Sequence, residues 1–387
     1  MKLNKAKVLT TVVALSLALA GCSSGGSSTT ATALTKLGAN EKTLTLLGWP
    51  GYAEDGSNDP KVDWVTPFTA QTGCKVTFKS YGTSDEALSL FKTGQYDAIA
   101  ASGDATLRLI AGNYVQPLNT DLIPSYKNVY SFLKGRAWNT VDGKTYGVPH
   151  GYGANLLMYN TSVVKPAPTS WSVVFDGASA YKGKVTAYDS PIYIADAALY
   201  LMKHKPELGI TNPYALDATQ LAAATDLLKA QRANVGEYWS DYLKSIQSFT
   251  TGNSVVGTTW QVIKNSMPAT PKVEAILPSE GATGWSDSWM VSSTAKDPNC
   301  AYAWLNYIDS PKANAAATEY FGEAPVTQDA CQYASADFCS TYHAGDEAYA
   351  AQIWYWTTPI SKCLDGRTNV TCTDYAAWTK AWQEIKG

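Results

Sequence analysis

Residues 43–100 read TLTLLGWPGYAEDGSNDPKVDWVTPFTAQTGCKVTFKSYGTSDEALSLFKTGQYDAIA, and the order of patterns in this stretch decides the fold class. Residues 43–47 alternate and then run apolar, as a buried strand does. Asp59-Pro60 supplies an N-cap and N1 pair for a helix carrying Trp64, Val65 and Phe68 on one face. Gly73 is placed to end that helix, and Pro67 is expected to kink it. Val76-Thr77-Phe78 reads as a second strand. Ser84 is expected to cap the next helix, with Asp85 and Glu86 in its first turn and Leu88 and Phe91 turned inward. Gly94 stops it, and residues 97–100 form a third strand. Strand, helix, strand, helix, strand predicts a parallel sheet in an α/β fold.

The style continues toward the C-terminus. Residues 217–233 read as a helix with Leu221, Leu227 and Leu228 at compatible spacing, and residues 255–259 and 273–277 read as strands. Asp297-Pro298 opens a helix carrying Ala301, Trp304, Leu305 and Ile308. Thr373 is expected to cap the last helix, where Trp378 and Trp382 sit four apart on one face.

Toward the N-terminus, Lys2, Lys5 and Lys7 precede an apolar run that closes with Leu19-Ala20-Gly21-Cys22. A basic start, a short apolar core and small residues before a cut make a secretory signal over residues 1–21. A cysteine at the first mature position resembles the bacterial lipoprotein signal, which implies lipidation of Cys22. The alternatives are an ordinary secreted chain and a membrane span, but the run is shorter than the ~20 residues that a bilayer requires. Residues 22–40 include SSGGSSTT and read as a flexible linker. The expected location is extracytoplasmic, tethered to the outer face of the cell membrane.

Composition narrows the function further. Hydrophobic residues at 45% and charged residues at 16% mark a folded chain. Removing Lys2, Lys5 and Lys7 from the 30 basic residues leaves 27 against 33 acidic ones, a formal charge of −6. No Lys/Arg cluster appears, so nucleic acid is not an expected partner. Apart from Cys22, six cysteines remain, and outside the cytoplasm an even set suggests disulfides with fifteen conceivable pairings. Short local loops favour Cys331–Cys339 and Cys363–Cys372, which leaves Cys74–Cys300. Metal binding is the rival use, but there is no C-x-x-C and only three well-separated histidines, so neither metal nor cofactor is expected.

Three phrases together carry a resemblance: GNYVQPL at 112–118, DGKTYGVPHGYGANLLMYN at 142–160 and YKGKV at 181–185. They resemble the extracellular substrate-binding proteins of ABC importers, over nearly the whole mature chain. Residues 48–52, GWPGY, and 284–288, GWSDS, are most similar to the spermidine/putrescine-binding branch. The resemblance implies a two-lobed type II periplasmic-binding-protein fold, each lobe a mostly parallel sheet flanked by helices, with hinge strands between. By analogy, lobe one takes residues 41–149 and 285–310, and lobe two takes 150–284 and 311–387. That division puts Cys74 and Cys300 in one lobe. A monomer working with permease subunits is implied.

In that branch, aromatic rings box the ligand and carboxylates anchor its ammonium ends. Trp49, Tyr52, Ser102, Trp260, Asp189, Trp285 and Asp287 match the branch's ligand positions in this way. If residues 285–289 are extended, Trp285, Asp287 and Trp289 share a face. The departures are Ile192, where a second acid is usual, and Asp104 and Glu323, which fall at or near tyrosine positions. The run Trp354-Tyr355-Trp356 lies where a glutamine is usual, and Trp356 is taken as the contact. His150 is expected to be a hinge residue.

The expected function is capture of a cationic amine, such as putrescine or spermidine, without chemistry. Binding of a neutral sugar is an alternative, given 13 tryptophans and 24 tyrosines. So is an amino acid such as γ-aminobutyrate, whose carboxylate takes an arginine in some relatives; Arg108 and Arg136 stay open for that role. A secreted glycoside hydrolase would need a carboxylate pair, for which Glu280 and Asp287 are the nearest candidates.

Overall fold

The computed structural model describes residues 32–387. Cys22 and the signal segment lie outside them, and so does most of the expected linker. Two sheets organise the chain. The first runs β13-β6-β12-β3-β1-β2, with β14 also on β12: β1 (Thr43–Gly48), β2 (Lys75–Ser80), β3 (Ala98–Ala101), β6 (Val148–Ala154), β12 (Ala282–Val291), β13 (Ala324–Pro325) and β14 (Ile353–Tyr355). Between β3 and β6 lies a small separate hairpin of β4 (Thr140–Val141) and β5 (Lys144–Thr145). The second sheet runs β11-β7-β10-β8-β9: β7 (Leu156–Asn160), β8 (Val185–Tyr188), β9 (Val235–Trp239), β10 (Val256–Thr259) and β11 (Val273–Ile276).

The parallel expectation holds where it was drawn. Strand β1 pairs in parallel with β2 and with β3. Alternation along these strands divides the apolar side chains between two faces. Leu44, Leu46, Ala98 and Ala100 join one core with Phe68 and Trp304, while Leu47, Ile99 and Ala101 join another with Phe91 and Leu109. A sheet buried on both faces in this way has helices on either side. Strand β8 is likewise parallel to β9 and β10, whereas the returning strand β7 runs antiparallel to β10 and β11, and β12 runs antiparallel to β3 and β6 but parallel to β14.

Two segments pass between the sheets. Strand β6 leads through Asn155 into β7, and β11 leads through residues 277–281 into β12. Side chains knit the crossings together: Asn155 Nδ2 donates to Thr283 Oγ1 at 2.7 Å, and Thr283 Oγ1 donates to Asp196 Oδ2 at 3.0 Å. The helix Pro311–Phe321 and strand β13, placed in the second lobe by analogy, pack on the first sheet. Ala317 and Phe321 sit in the core with Leu46 and Trp304, and β13 pairs with β6. The closing helix Tyr375–Lys386 lies on the second-sheet side, where Lys229 and Arg232 hold Glu384 and the carbonyl of Ile385.

Some local expectations shift by a few residues. The first helix is Val65–Thr72, not one opened by Asp59-Pro60, because Asp59 accepts from Lys61 and Val62 to make its own turn. Pro67 therefore falls in the first turn, where no intrahelical N–H is needed, and it causes no kink. Thr83, not Ser84, caps the second helix through Glu86 N, and Asp374, not Thr373, caps the last one. Gly73 ends the first helix in the left-handed conformation, and Asp217 caps Ala218–Arg232 with a complete capping box.

All three disulfides are present: Cys74–Cys300, Cys331–Cys339 and Cys363–Cys372. The first joins residues 226 apart, and closing so long a loop removes the most freedom from the unfolded chain. Replacing Cys74 and Cys300 together by serine is expected to cost roughly 2–5 kcal/mol in urea unfolding. The Cys331/Cys339 double variant should lose less, and an equal or larger loss there would contradict this ranking.

Candidate functional site

The cleft is built at strand ends. Trp49 follows β1, Tyr81 follows β2, Ser102 follows β3, Tyr188 ends β8, Ser240 follows β9 and Trp260 follows β10. In open α/β sheets, ligands bind beyond the carboxyl ends of the strands. These six residues line one cavity of about 550 Å3, together with Trp285, Asp287, Phe321 and Trp356. Residues from both sheets thus face one space.

Four rings close a cycle in its wall. Tyr188 stacks on Trp356 with centroids 5.6 Å apart and planes 16° apart, and it meets Trp260 at 5.6 Å. Trp260 meets Trp285 at 5.2 Å, and Trp285 returns to Trp356 at 6.2 Å. Trp49 and Tyr81 form a second pair at 4.6 Å. Trp260 is tied to the crossing segments, since its Nε1 donates to Asn155 Oδ1 at 2.9 Å.

Strand β6 makes room for the central residues. Trp285 and Asp287 pair across the sheet with Gly153 and Gly151. A Cβ on Gly153 would come within 2.3 Å of the Trp285 ring, and one on Gly151 within 2.1 Å of the Glu323 carboxyl carbon. The phrase HGYG at 150–153 is therefore a spacing device. Its glycines let an indole and a carboxyl lie flat against the sheet.

Asp287 is 1% exposed, and only its Oδ2 is bonded, accepting from Tyr52 Oη at 2.8 Å. Its Oδ1 has no hydrogen-bond partner among the described residues. Burial raises its pKa to about 6; Ser102, Tyr52 and Trp49 pull it down in part, and the charge of Asp104 pushes it up. No lysine, arginine or histidine is among the described residues lining the cavity, whereas Asp241 is a second acid in its wall. An unpaired carboxylate in an apolar surround favours a bound cation.

The other predicted residues divide into three groups. Trp49, Ser102, Trp260, Trp285, Asp287 and Trp356 come together in the cavity wall. Tyr52 and Glu323 stand behind it. Glu323 Oε2 accepts from Trp285 Nε1 at 3.1 Å and lies 3.3 Å from Tyr52 Oη, which bridges the two acids. Burial, and then the charge of Asp287, raises the Glu323 pKa well above the usual range. Burial also lowers His150 to about 3, so the 3.9 Å approach of His150 to Glu323 is one of neutral groups. Glu323 thus orients Trp285 and Tyr52 from outside the cavity.

Asp104 and Asp189 are not brought to the cavity. Asp104 is buried outside its lining, accepts from Ser84 Oγ at 3.0 Å, and is pushed up to about 6 by burial. Asp189 pairs with Lys386 at 2.9 Å and borders a smaller pocket of about 120 Å3. Trp289, on the extended strand β12, turns into the core against Trp304 at 5.6 Å. Tyr81, Tyr188, Asp241, Tyr242 and Phe321 were not singled out from the sequence; the strand-end rule points to the first two.

The rival roles fare differently. Arg108 pairs with Asp85 at 2.6 Å and stacks on Tyr375, and Arg136 borders a separate pocket, so neither lines the cavity. Glu280 is held by Ser170 and by His204 at 2.8 Å, away from the cavity wall, and forms no catalytic pair there with Asp287.

Two sheets joined by crossing strands around a ring-lined, acidic cleft define a ligand-capture protein of the type II periplasmic-binding fold. The profile of the bacterial extracellular solute-binding protein family matches residues 63–344, and the chain belongs to that family. Its members are transport proteins rather than enzymes, and they work outside the cytoplasm. The chain is 25% identical over 366 residues to the putrescine-binding periplasmic protein SpuD of Pseudomonas aeruginosa, covering 90% of this chain and 93% of that protein. It is 25% identical over 320 residues to the putrescine-binding periplasmic protein PotF of Escherichia coli, covering 78% and 82%. The TpPotD lipoprotein of Treponema pallidum shares the fold with a TM-score of 0.70 at 19% identity, over 89% of this chain and 99% of that one.

If Glu323 is neutral, glutamine should replace it with little effect. Glu323→Gln is expected to hold ligand affinity within about threefold, since it keeps an acceptor for Trp285 and adds no charge. Glu323→Ala should weaken binding by about tenfold by releasing the indole. A tenfold loss in the glutamine variant would contradict the neutral assignment.

Proposed function

We propose that the protein captures a cationic organic amine of the putrescine or spermidine kind and delivers it to the permease subunits of an ABC importer. One observation carries this reading: the Asp287 carboxylate, unpaired at Oδ1, lines a cavity walled by tryptophan and tyrosine with no basic side chain. An ammonium over each ring gains about 0.5–2 kcal/mol from the ring quadrupole. Its charge-assisted hydrogen bond to Asp287 adds roughly 1.5–3 kcal/mol. Methylenes between amines would pack on the same indoles. The putrescine-binding names of SpuD and PotF support the same ligand class.

A γ-aminobutyrate ligand would satisfy Asp287 with its ammonium but would find no lysine, arginine or histidine for its carboxylate among the described lining residues, which disfavours it. A neutral sugar fits the rings but leaves the buried acid unneutralised. The site therefore comprises Trp49, Ser102, Tyr188, Trp260, Trp285, Asp287 and Trp356, with Tyr52 and Glu323 as supports. The second sheet, residues 156–276, forms one lobe with the last helix, closing on a lobe built around the first sheet. A monomer tethered through lipid on Cys22 completes the proposal. Among the described residues, no helix is long and apolar enough to cross a membrane.

Calorimetry with putrescine, spermidine, γ-aminobutyrate and glucose tests the class. The two polyamines are expected to bind, and Asp287→Asn should cost them about 2 kcal/mol or more. Binding of glucose alone, or full polyamine affinity in Asp287→Asn, would contradict the reading.

A further inference from the structure

A second chamber adjoins the first. It has a volume of about 410 Å3 and shares Pro50, Tyr242, Trp260, Trp285 and Phe321 with the main cavity. Its own walls add Glu54 and Tyr320, and no lysine, arginine or histidine borders it among the described residues. Glu54 is 7% exposed and forms no ion pair among the described residues.

The carboxyl of Glu54 is held in place. Its backbone carbonyl accepts from Trp64 N and Val65 N, both at 3.1 Å, at the start of the first helix. Its Oε2 accepts from Asn58 Nδ2 at 2.8 Å. Tyr320 is fixed beside it by an edge-on contact with Trp64 at 6.0 Å. Tyr242 comes from the second-sheet side and Tyr320 from the first, and both rings are partly exposed at 44% and 46%. The two phenols frame the chamber from opposite lobes.

The lobes also meet here. A Cβ on Gly322, whose φ is +88°, would fall 2.4 Å from a methyl of Val262. The first and second lobes are thus in close contact along one wall of the chamber, with Gly322 permitting the approach.

We propose that this chamber is a second ammonium subsite, with Glu54 as its anion and Tyr242 and Tyr320 as its aromatic frame. Resting on the amine reading above, this makes the ligand a linear amine with cationic groups at two separated places, one at Asp287 and one at Glu54. The chemistry repeats that of the main cavity: a fixed carboxylate, flanking rings and no competing base. Pro50, Trp260, Trp285 and Phe321 offer apolar surface to the methylenes that connect the two ammonium groups. Short monoamines would use the first subsite alone.

The test is a length series measured by calorimetry: n-butylamine, 1,4-diaminobutane, 1,8-diaminooctane and spermidine, against wild type, Glu54→Gln and Tyr320→Ala. Wild type should favour spermidine and the longer diamine over n-butylamine. Glu54→Gln should weaken those two by about tenfold and leave n-butylamine unchanged. Tyr320→Ala should shift the same way by a smaller factor, with thermal melting showing that both variants fold. Equal effects on short and long amines, or none on any, would overturn the second subsite while leaving the Asp287 reading intact. A wild-type protein that binds no amine would overturn both.

Discussion

A carboxylate taken out of water costs several kcal/mol unless hydrogen bonds or an opposite charge meet it. Asp287 is buried to 1% exposure with only one of its oxygens bonded within the protein. The Tyr52 hydroxyl offsets part of that cost, and burial leaves the acid less willing to ionise than an exposed one. The rings around it make the remaining demand specific. Indole and phenol faces exclude water, and they attract positive charge more than negative charge. The cleft is thus a place where a cation resolves a cost that the fold has already incurred.

Two structural choices hold this arrangement. Parallel strands deliver side chains from both sheets to one space, because Trp49, Tyr81, Ser102, Tyr188 and Trp260 all sit at strand C-termini. Strand β6 then supplies glycine opposite Trp285 and Asp287, so that side chains lying across the sheet do not collide with a Cβ. The crossing segments are linked to the wall through Asn155, which joins Trp260 to Thr283. Displacing one crossing relative to the other would move Trp260 with it, which couples the cavity wall to the geometry of the crossings.

Much of this was legible from local pattern. The alternation of residues 43–47 and the short run DAIA at 97–100 predicted strands of the parallel sheet, and Trp285 and Asp287 stand out as an acid near an aromatic on an extended segment. Where a residue sits away from the expected position, a tertiary partner decided the outcome. Asp189 is neutralised by Lys386, 197 residues away, and no spacing rule discloses that pair. Glu323 was taken for a ligand contact, but the chain turns at Gly322 and leaves it behind Trp285. The first helix starts at Val65 because Asp59 spends its hydrogen bonds on a local turn. Tyr81 and Tyr188 were overlooked because an aromatic residue at the end of a strand looks like ordinary core until the sheet order is known.

The most direct measurement is the pH dependence of affinity for putrescine between pH 5 and pH 8. Burial raises the Asp287 pKa to about 6, so below that value a proton competes with the ammonium for the same carboxylate. Binding should therefore strengthen as pH rises from 5 toward 7, approaching about tenfold per unit on the acid side, and level off above. Protons should be released on binding near pH 5.5 and not at pH 8. An affinity that is flat across this range, or one that falls as pH rises, would contradict the claim that an ionised Asp287 receives the cation.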